Sequence, residues 1–210
     1  KAALVGNQLK GTIDILDIQY GNIWTNINQA YWKLYREDKI TQETLRFNRL
    51  AKTFEKMNYT ISDEIINEIS EKYIDYLSTF PHLFDGAIDL LEMLSERFRL
   101  HIITNGFLEV QHIKLKHAGI HHHFDVILCS EEVGVNKPNP QIFKHALNRA
   151  NTTAQASLMI GDDYRADVAG ALKAGMQAIW YQEKKNEKSK YDYKINCLSE
   201  IPQLAAKLMR

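Results

Sequence analysis

The chain has little of what would place it outside the ordinary globular class. Cysteine occurs twice in 210 residues, at Cys129 and Cys197. Two distant cysteines build no disulfide framework, and a reducing compartment is the natural reading. Charge of one sign is not in excess: 26 Lys+Arg balance 26 Asp+Glu. A chain that wraps a nucleic-acid polymer needs a basic surplus, so that role is disfavoured. No apolar run approaches the roughly 18–20 residues that cross a bilayer. Lys1 to Lys10 holds only the short apolar stretch Ala2 to Val5, so no secretory signal is read there. A cytoplasmic location is expected. The sequence begins at Lys1 rather than Met, and we expect a missing or divergent segment ahead of it.

Proline is scarce as well. There are four, and none precedes Pro81. Glycine is absent between Gly21 and Gly86. A stretch without helix breakers can be helical throughout. Ile27, Ala30, Tyr31, Leu34 and Tyr35 recur at helical spacing. Thr41 with Glu43 and Thr44 marks a helix start, with Leu45, Leu50 and Phe54 on one side. Ser62 opens a further stripe through Ile65, Ile66, Ile69, Tyr73 and Leu77. Residues 1–80 therefore read as a small helical bundle.

From residue 81 the pattern alternates. Helices are expected over 84–96, 106–118, 139–150, 164–174 and 199–209. Strands are expected over 99–104, 125–129, 157–160 and 176–181, with a short one at 193–197. Strand–helix alternation predicts an α/β fold with a mostly parallel sheet and helices on both faces. Function in such sheets collects at the C-terminal ends of the strands.

Three strand exits carry chemistry. Thr104-Asn105-Gly106 ends an apolar strand before a helix, where backbone N–H groups and a hydroxyl can hold an anion. The plainer alternative is a helix cap. Lys137 precedes Pro138 in the loop 130–140, where a fixed ammonium could neutralise a phosphate; most lysines simply sit in solvent. Asp162, Asp163 and Asp167 crowd into six residues after Gly161. Such crowding repels unless a cation compensates, and Mg²⁺ suits hard oxygen ligands that leave room for water and phosphate. Alternatively Asp162 or Asp163 caps a helix and Asp167 pairs with Arg165 or Lys173.

Taken together, IITNG (102–106), SEEVGVNKPNPQIF (130–143) and MIGDDYRADVAGALKAGM (159–176) resemble the haloacid dehalogenase-like hydrolase superfamily. They look like its second, third and fourth motifs, in order. Residues 1–80 look like the C1-type helical cap and 81–210 like the Rossmann-like α/β core. The wording of these motifs looks most like the pyrimidine 5′-nucleotidase branch.

The resemblance implies roles. Thr104 would donate to the transferring phosphoryl group, helped by the backbone around Asn105 and Gly106. Lys137 would hold the phosphate and the nucleophilic carboxylate. Asp162 would ligand Mg²⁺, with Asp163 or Asp167 as a further ligand. The substrate would be a small phosphorylated metabolite such as a nucleotide, with Trp32, Tyr35, Arg46 and Arg49 as cap residues that could face it; packing within the bundle is the plainer fate of Trp32 and Tyr35. The implied activity is a Mg²⁺-dependent phosphohydrolase working through an aspartyl-phosphate. Two alternatives stand beside it: a phosphomutase sharing these motifs, and a non-catalytic module that binds phosphate, metal or a partner.

One departure limits the likeness. The family's first motif, a strand ending in DxDx(T/V) at the centre of the sheet, is not found. Asp14 and Asp17 are spaced by three rather than two, and they read as early cap residues. The core is expected to be one strand short. The triplet His121-His122-His123 reads as a solvated loop, and the polar run Lys184 to Lys190 as an exposed connection.

Overall fold

The computed structural model describes residues 10–80, 82–182 and 190–209, with the side chains of residues 10–20 left aside. Ala2 to Val5, the Asp14 and Asp17 side chains and residues 184–189 of the polar run lie outside what is described. The boundary between two compact units falls after Phe80. Among the described residues no helix is long and apolar enough to cross a membrane.

The first unit is three helices: α1 (Lys10–Arg36), α2 (Gln42–Lys56) and α3 (Asp63–Thr79). Residues 14 and 17 fall within α1. Thr41 starts α2 as a cap, its Oγ1 accepting the Thr44 N–H at 3.1 Å. This satisfies one donor that the first helical turn leaves orphaned. Ser62 is the N-cap residue of α3 without a side-chain cap bond. The buried face of α3 is Ile66, Ser70, Ile74 and Ser78. It is an i, i+4 row, and it turns the expected Ile65 out to 49% exposure. Two small serines let α3 sit close, which an apolar count alone does not register. Ser78 Oγ settles its own donor on the Asp75 carbonyl at 2.6 Å.

The second unit alternates as expected. It runs α4 (Ala87–Ser95), β1 (Leu100–Thr104), α5 (Leu108–His117), β2 (Phe124–Cys129), α6 (Ser130–Val133), α7 (Pro140–Arg149), β3 (Leu158–Gly161), a wide π-type turn (Tyr164–Ala169) leading into α8 (Gly170–Lys173), β4 (Gln177–Tyr181), β5 (Lys194–Ile195) and α9 (Ile201–Leu208). His121–His123 forms a short 3₁₀ turn rather than an open loop. The helix expected over 164–174 is continuous in direction but wide in its first part, where the Val168 N–H reaches back to the Asp163 carbonyl at 3.5 Å. Wide turns of this kind gather at functional sites.

All strand pairings are parallel: β1 with β2, β3 with β4, and β4 with β5. Among the described residues β1 and β3 are not paired to each other, so the strands form two sheets. The strand that the family resemblance puts at the centre is not among them. Every residue of β1 and β3 is half-buried, whereas Leu128 in β2 and Ala178 and Ile179 in β4 are fully buried.

Both sheets nevertheless share one core. Leu128, Ile142, Phe143, Ala146, Val168, Ala171, Met176 and Ala178 form a cluster against which Ile103 of β1 and Met159 of β3 pack. On the opposite face Leu94, Ile179, Ile195 and Ile201 form a second cluster. Ala178 and Ile179 are adjacent in β4 and point to opposite clusters, as the two-residue period of a strand requires. Helices therefore cover both faces, and the strand exits lie at one end.

Candidate active site at the strand exits

The site is built around a buried ammonium. Lys137 is 8% exposed. Its Nζ donates to the Ile103 carbonyl at 2.7 Å and to Asp167 Oδ1 at 2.6 Å. One contact reaches the end of β1 and the other reaches the turn after β3, so Lys137 ties the exits of the two sheets together. An ammonium has three donors; two are used here.

The Lys137 main chain is fixed with equal care. Asn105 accepts the Lys137 N–H on Oδ1 at 2.8 Å and donates from Nδ2 to the Lys137 carbonyl at 3.0 Å. This two-point clamp is buried. It uses Asn105 Oδ1 and one of the two Nδ2 hydrogens. Thr104 Oγ1 accepts the Gly106 N–H at 2.9 Å, which leaves its hydroxyl proton able to donate outward. A Cβ on Gly106 would stand 2.3 Å from Gln111 Nε2 and 3.1 Å from Thr104 Oγ1, so the end of the Gln111 side chain would have to turn aside.

The three acidic residues do three different things. Asp163 is a helix cap, its Oδ1 accepting the N–H groups of Arg165 and Ala166, both at 2.9 Å. Asp167 is 4% exposed and takes Lys137 on Oδ1 and the Asp163 N–H on Oδ2 at 3.0 Å. Its partner is therefore Lys137 of a distant loop, not Arg165 or Lys173. Asp162 is exposed and accepts no side-chain hydrogen bond among the described residues. Desolvation of its carboxyl, and then the Asp167 carboxylate beside it, push it above the usual carboxylate range, against the pull of Lys137.

Glycine makes this approach possible. A Cβ on Gly161 would stand 2.3–2.4 Å from the Asp167 side chain, and one on Gly170 would stand 2.8 Å from the Phe143 ring and 3.1 Å from Pro138 Cβ. Both glycines let the 161–170 turn close onto the Lys137-Pro138 loop.

Among the described residues no group of three or more His, Cys, Asp or Glu side chains is arranged to hold a metal ion. Mg²⁺ asks for less. It keeps several waters and is held by one or two carboxylates with substrate phosphate. The exposed Asp162 carboxylate, tied to no other side chain among the described residues and with the Asp167 carboxylate beside it raising its proton affinity, fits that demand.

The candidate cap residues belong to the first unit. Arg49 is 2% exposed; its Nη1 donates to Asn28 Oδ1 at 3.1 Å, and its guanidinium lies over the rings of Tyr73 and Trp24 at 4.9 and 5.7 Å. Trp32 is half-buried, edge-on to the buried Tyr35 at 5.8 Å, and Arg46 is half-buried. None of these is placed against the strand exits by anything described within the unit.

Two contributors escaped the sequence reading. The Ile103 carbonyl is a backbone group with no residue-type signal. Trp180 donates from Nε1 to the Asp162 carbonyl at 2.9 Å. Its position four residues into a strand expected from the sequence was visible, but its pairing opposite Gly161 was not.

Comparison with known proteins gives consistent neighbours. A family model described as "Haloacid dehalogenase-like hydrolase" matches residues 13–181. The pyrimidine 5′-nucleotidase YjjG of Escherichia coli is 30% identical over 185 residues, 86% of this chain and 80% of that protein. A glyceraldehyde 3-phosphate phosphatase of Methanothermobacter thermautotrophicus is 38% identical over 156 residues, 72% of this chain and 67% of that one. The magnesium-bound crystal structure of the putative HAD-hydrolase YfnB of Bacillus subtilis superimposes with a TM-score of 0.79 at 26% identity, covering 97% of this chain and 84% of that one.

Proposed function

Because the chain belongs to the haloacid dehalogenase-like hydrolase family, we propose that its strand exits form the phosphate- and metal-holding part of a Mg²⁺-dependent phosphohydrolase. The substrate we propose is a nucleoside monophosphate or a similarly small phosphate ester. The observation that carries this reading is the buried Lys137 ammonium, held between the Ile103 carbonyl and Asp167 beside the exposed Asp162 carboxylate.

The residues divide the work by charge. Phosphoryl transfer spreads negative charge over the equatorial oxygens, and fixed positive groups near them lower the barrier. Lys137 directs its remaining N–H to a phosphoryl oxygen. Two of its donors are already anchored, so it does not reorganise when charge develops. Thr104 donates its hydroxyl proton to a second oxygen. Asp162 holds Mg²⁺, which when bound offsets the remaining phosphoryl charge. Asp167 keeps Lys137 aimed. The carboxylate that would attack phosphorus is not among the described side chains gathered at these exits. A second reading, a non-catalytic module, would bind phosphate and metal through the same groups.

Phosphate release from a panel of pyrimidine and purine 5′-monophosphates in Mg²⁺, together with calorimetric titration of Mg²⁺ and of inorganic phosphate, separates the readings. Turnover with binding supports the hydrolase. Binding without turnover on any ester supports the module. In either case Asp162→Asn weakens Mg²⁺ and Lys137→Ala weakens phosphate. A parent chain that binds neither sinks both.

A further inference from the structure

The three carboxylates after β3 differ in how they are held, and Asp162 is the loose one. Asp163 is fixed by two backbone N–H groups, and Asp167 by Lys137 and the Asp163 N–H. Among the described residues the Asp162 carboxylate accepts only its own backbone N–H. A single ligand that must meet a cation demanding near-ideal octahedral geometry cannot be left to wander. Its direction must come from its main chain.

The main chain at this point is gripped by an aromatic frame. Trp180 lies in β4 directly opposite Gly161. Its indole N–H donates to the Asp162 carbonyl at 2.9 Å. The indole is itself held: the Tyr164 ring packs on it at 4.9 Å, with an interplanar angle of 55°. Tyr164 packs in turn against Tyr191 at 5.8 Å, and the Tyr191 hydroxyl donates to the Ala178 carbonyl at 2.7 Å, back on β4. The frame thus begins and ends on the same strand and encloses the segment 162–164. An indole has one donor and no acceptor, and here that donor is used on the Asp162 carbonyl, in the residue whose carboxylate is held by no other residue's hydrogen bond among the described residues.

We infer that Trp180 is a positioning residue for Asp162: its indole N–H fixes the Asp162 peptide, and through it the direction of the carboxylate that holds Mg²⁺. This rests on the metal reading of Asp162 proposed above. It makes Trp180 part of the site without any contact with substrate or cation.

Trp180→Phe keeps an aromatic ring against Tyr164 and removes the N–H. Calorimetric titration of the full chain with Mg²⁺ should show affinity reduced about tenfold, the size typical of losing a group that orients a metal ligand. In an Asp162→Asn background the same Trp180→Phe change should cause no further loss, because it acts only through Asp162. Additive losses, or equal Mg²⁺ affinity in the parent and Trp180→Phe, overturn the inference and leave the metal reading standing. A parent that does not bind Mg²⁺ overturns the metal reading and this inference with it. A second measurement does not depend on the variant folding. In ¹H–¹⁵N spectra of the parent, one of the three indole N–H resonances, from Trp24, Trp32 and Trp180, should move on adding Mg²⁺, and none should move in Asp162→Asn. Movement of none in a parent that binds Mg²⁺ overturns the inference.

Discussion

The two units each bury a long cationic side chain and solve the problem differently. In the helical unit Arg49 is inside with no carboxylate against it among the described residues. Its Nε and Nη2 are buried without a hydrogen-bond partner, and ring faces of Tyr73 and Trp24 take that place. Burial lowers its proton affinity, with Arg46 adding to the effect and Tyr73 opposing it. In the α/β unit Lys137 is inside with a carboxylate at 2.6 Å and a carbonyl at 2.7 Å. A guanidinium is broad, weakly hydrated and flat, so aromatic faces can shelter it. An ammonium is a compact point charge and needs an anion or strong acceptors. The first solution is self-contained packing. The second leaves a donor over at a strand exit, and that is where a ligand can enter.

The largest effect should come from breaking the second pair. Lys137→Met leaves Asp167 buried beside no cation, and removing one partner of a buried pair costs about 3–5 kcal/mol. Urea denaturation should show that loss. Lys137→Met combined with Asp167→Asn should recover most of it, because neither charge remains and the Asp163 N–H keeps an acceptor. Phosphate binding should stay absent in both. A double variant as unstable as the single one would mean that the pair is not what holds this region.

Gly161→Ala tests the same region from the other side. The new Cβ would stand 2.3–2.4 Å from the Asp167 side chain, so Asp167 must swing away from Lys137. Overpacking of this kind costs about 1–3 kcal/mol. Mg²⁺ and phosphate binding should fall along with the melting temperature. A variant of unchanged stability would show that the 161–167 turn is softer than its contacts imply.

Arg49→Met should do much less. Apolar replacement of a buried charge with similar volume is often neutral, and the lost cation–π attraction is about 1–2 kcal/mol when desolvated. The two terms oppose each other, so we expect a change within about 1 kcal/mol of the parent in the denaturation midpoint free energy. A loss as large as that of Lys137→Met would erase the contrast between the units.

Sequence and structure agree where short-range rules decide. Thr41 is the cap of α2, Asn139 accepts the Gln141 N–H at the start of α7, and Gly175 closes α8 at φ +83°. Each rests on one residue and its neighbours within a turn. Alternation of strands and helices also sufficed for the fold class, since periods of two and 3.6 need only a local window. The pairings across the fold were not legible. Asp167 has Arg165 and Lys173 close in sequence, yet it pairs with Lys137, 30 residues away. Which loop reaches which strand exit is set by sheet order and by close approaches at Gly161 and Gly170, none of which a linear pattern encodes. Asn105 was legible as a strand-exit amide, but its two-point clamp on Lys137 was not. On α3 the period was right and the face nearly so: Ile66 is buried and Ile69, Tyr73 and Leu77 are half-buried, but Ile65 turns out and serines at positions 70 and 78 are as buried as isoleucines.

A third buried nitrogen extends the comparison to its mildest case. His101 sits in β1, on the same strand as the Ile103 carbonyl that holds Lys137, and its Nδ1 is buried without a hydrogen-bond partner. Here the charge is given up. Desolvation pulls the imidazole below its usual range, with Arg99 adding to the effect and Asp125 opposing it. As pH falls, the unfolded chain takes up this proton before the folded one does. The His101 contribution to stability is therefore complete above the ordinary imidazole range and is lost as pH drops through that range toward the lower folded value. Urea midpoints measured at about pH 7.5 and about pH 5.5 should show a fall for the parent and a smaller fall for His101→Gln, which cannot titrate. An equal fall in both would assign the acid sensitivity to other groups and leave His101 a neutral strand residue at either pH.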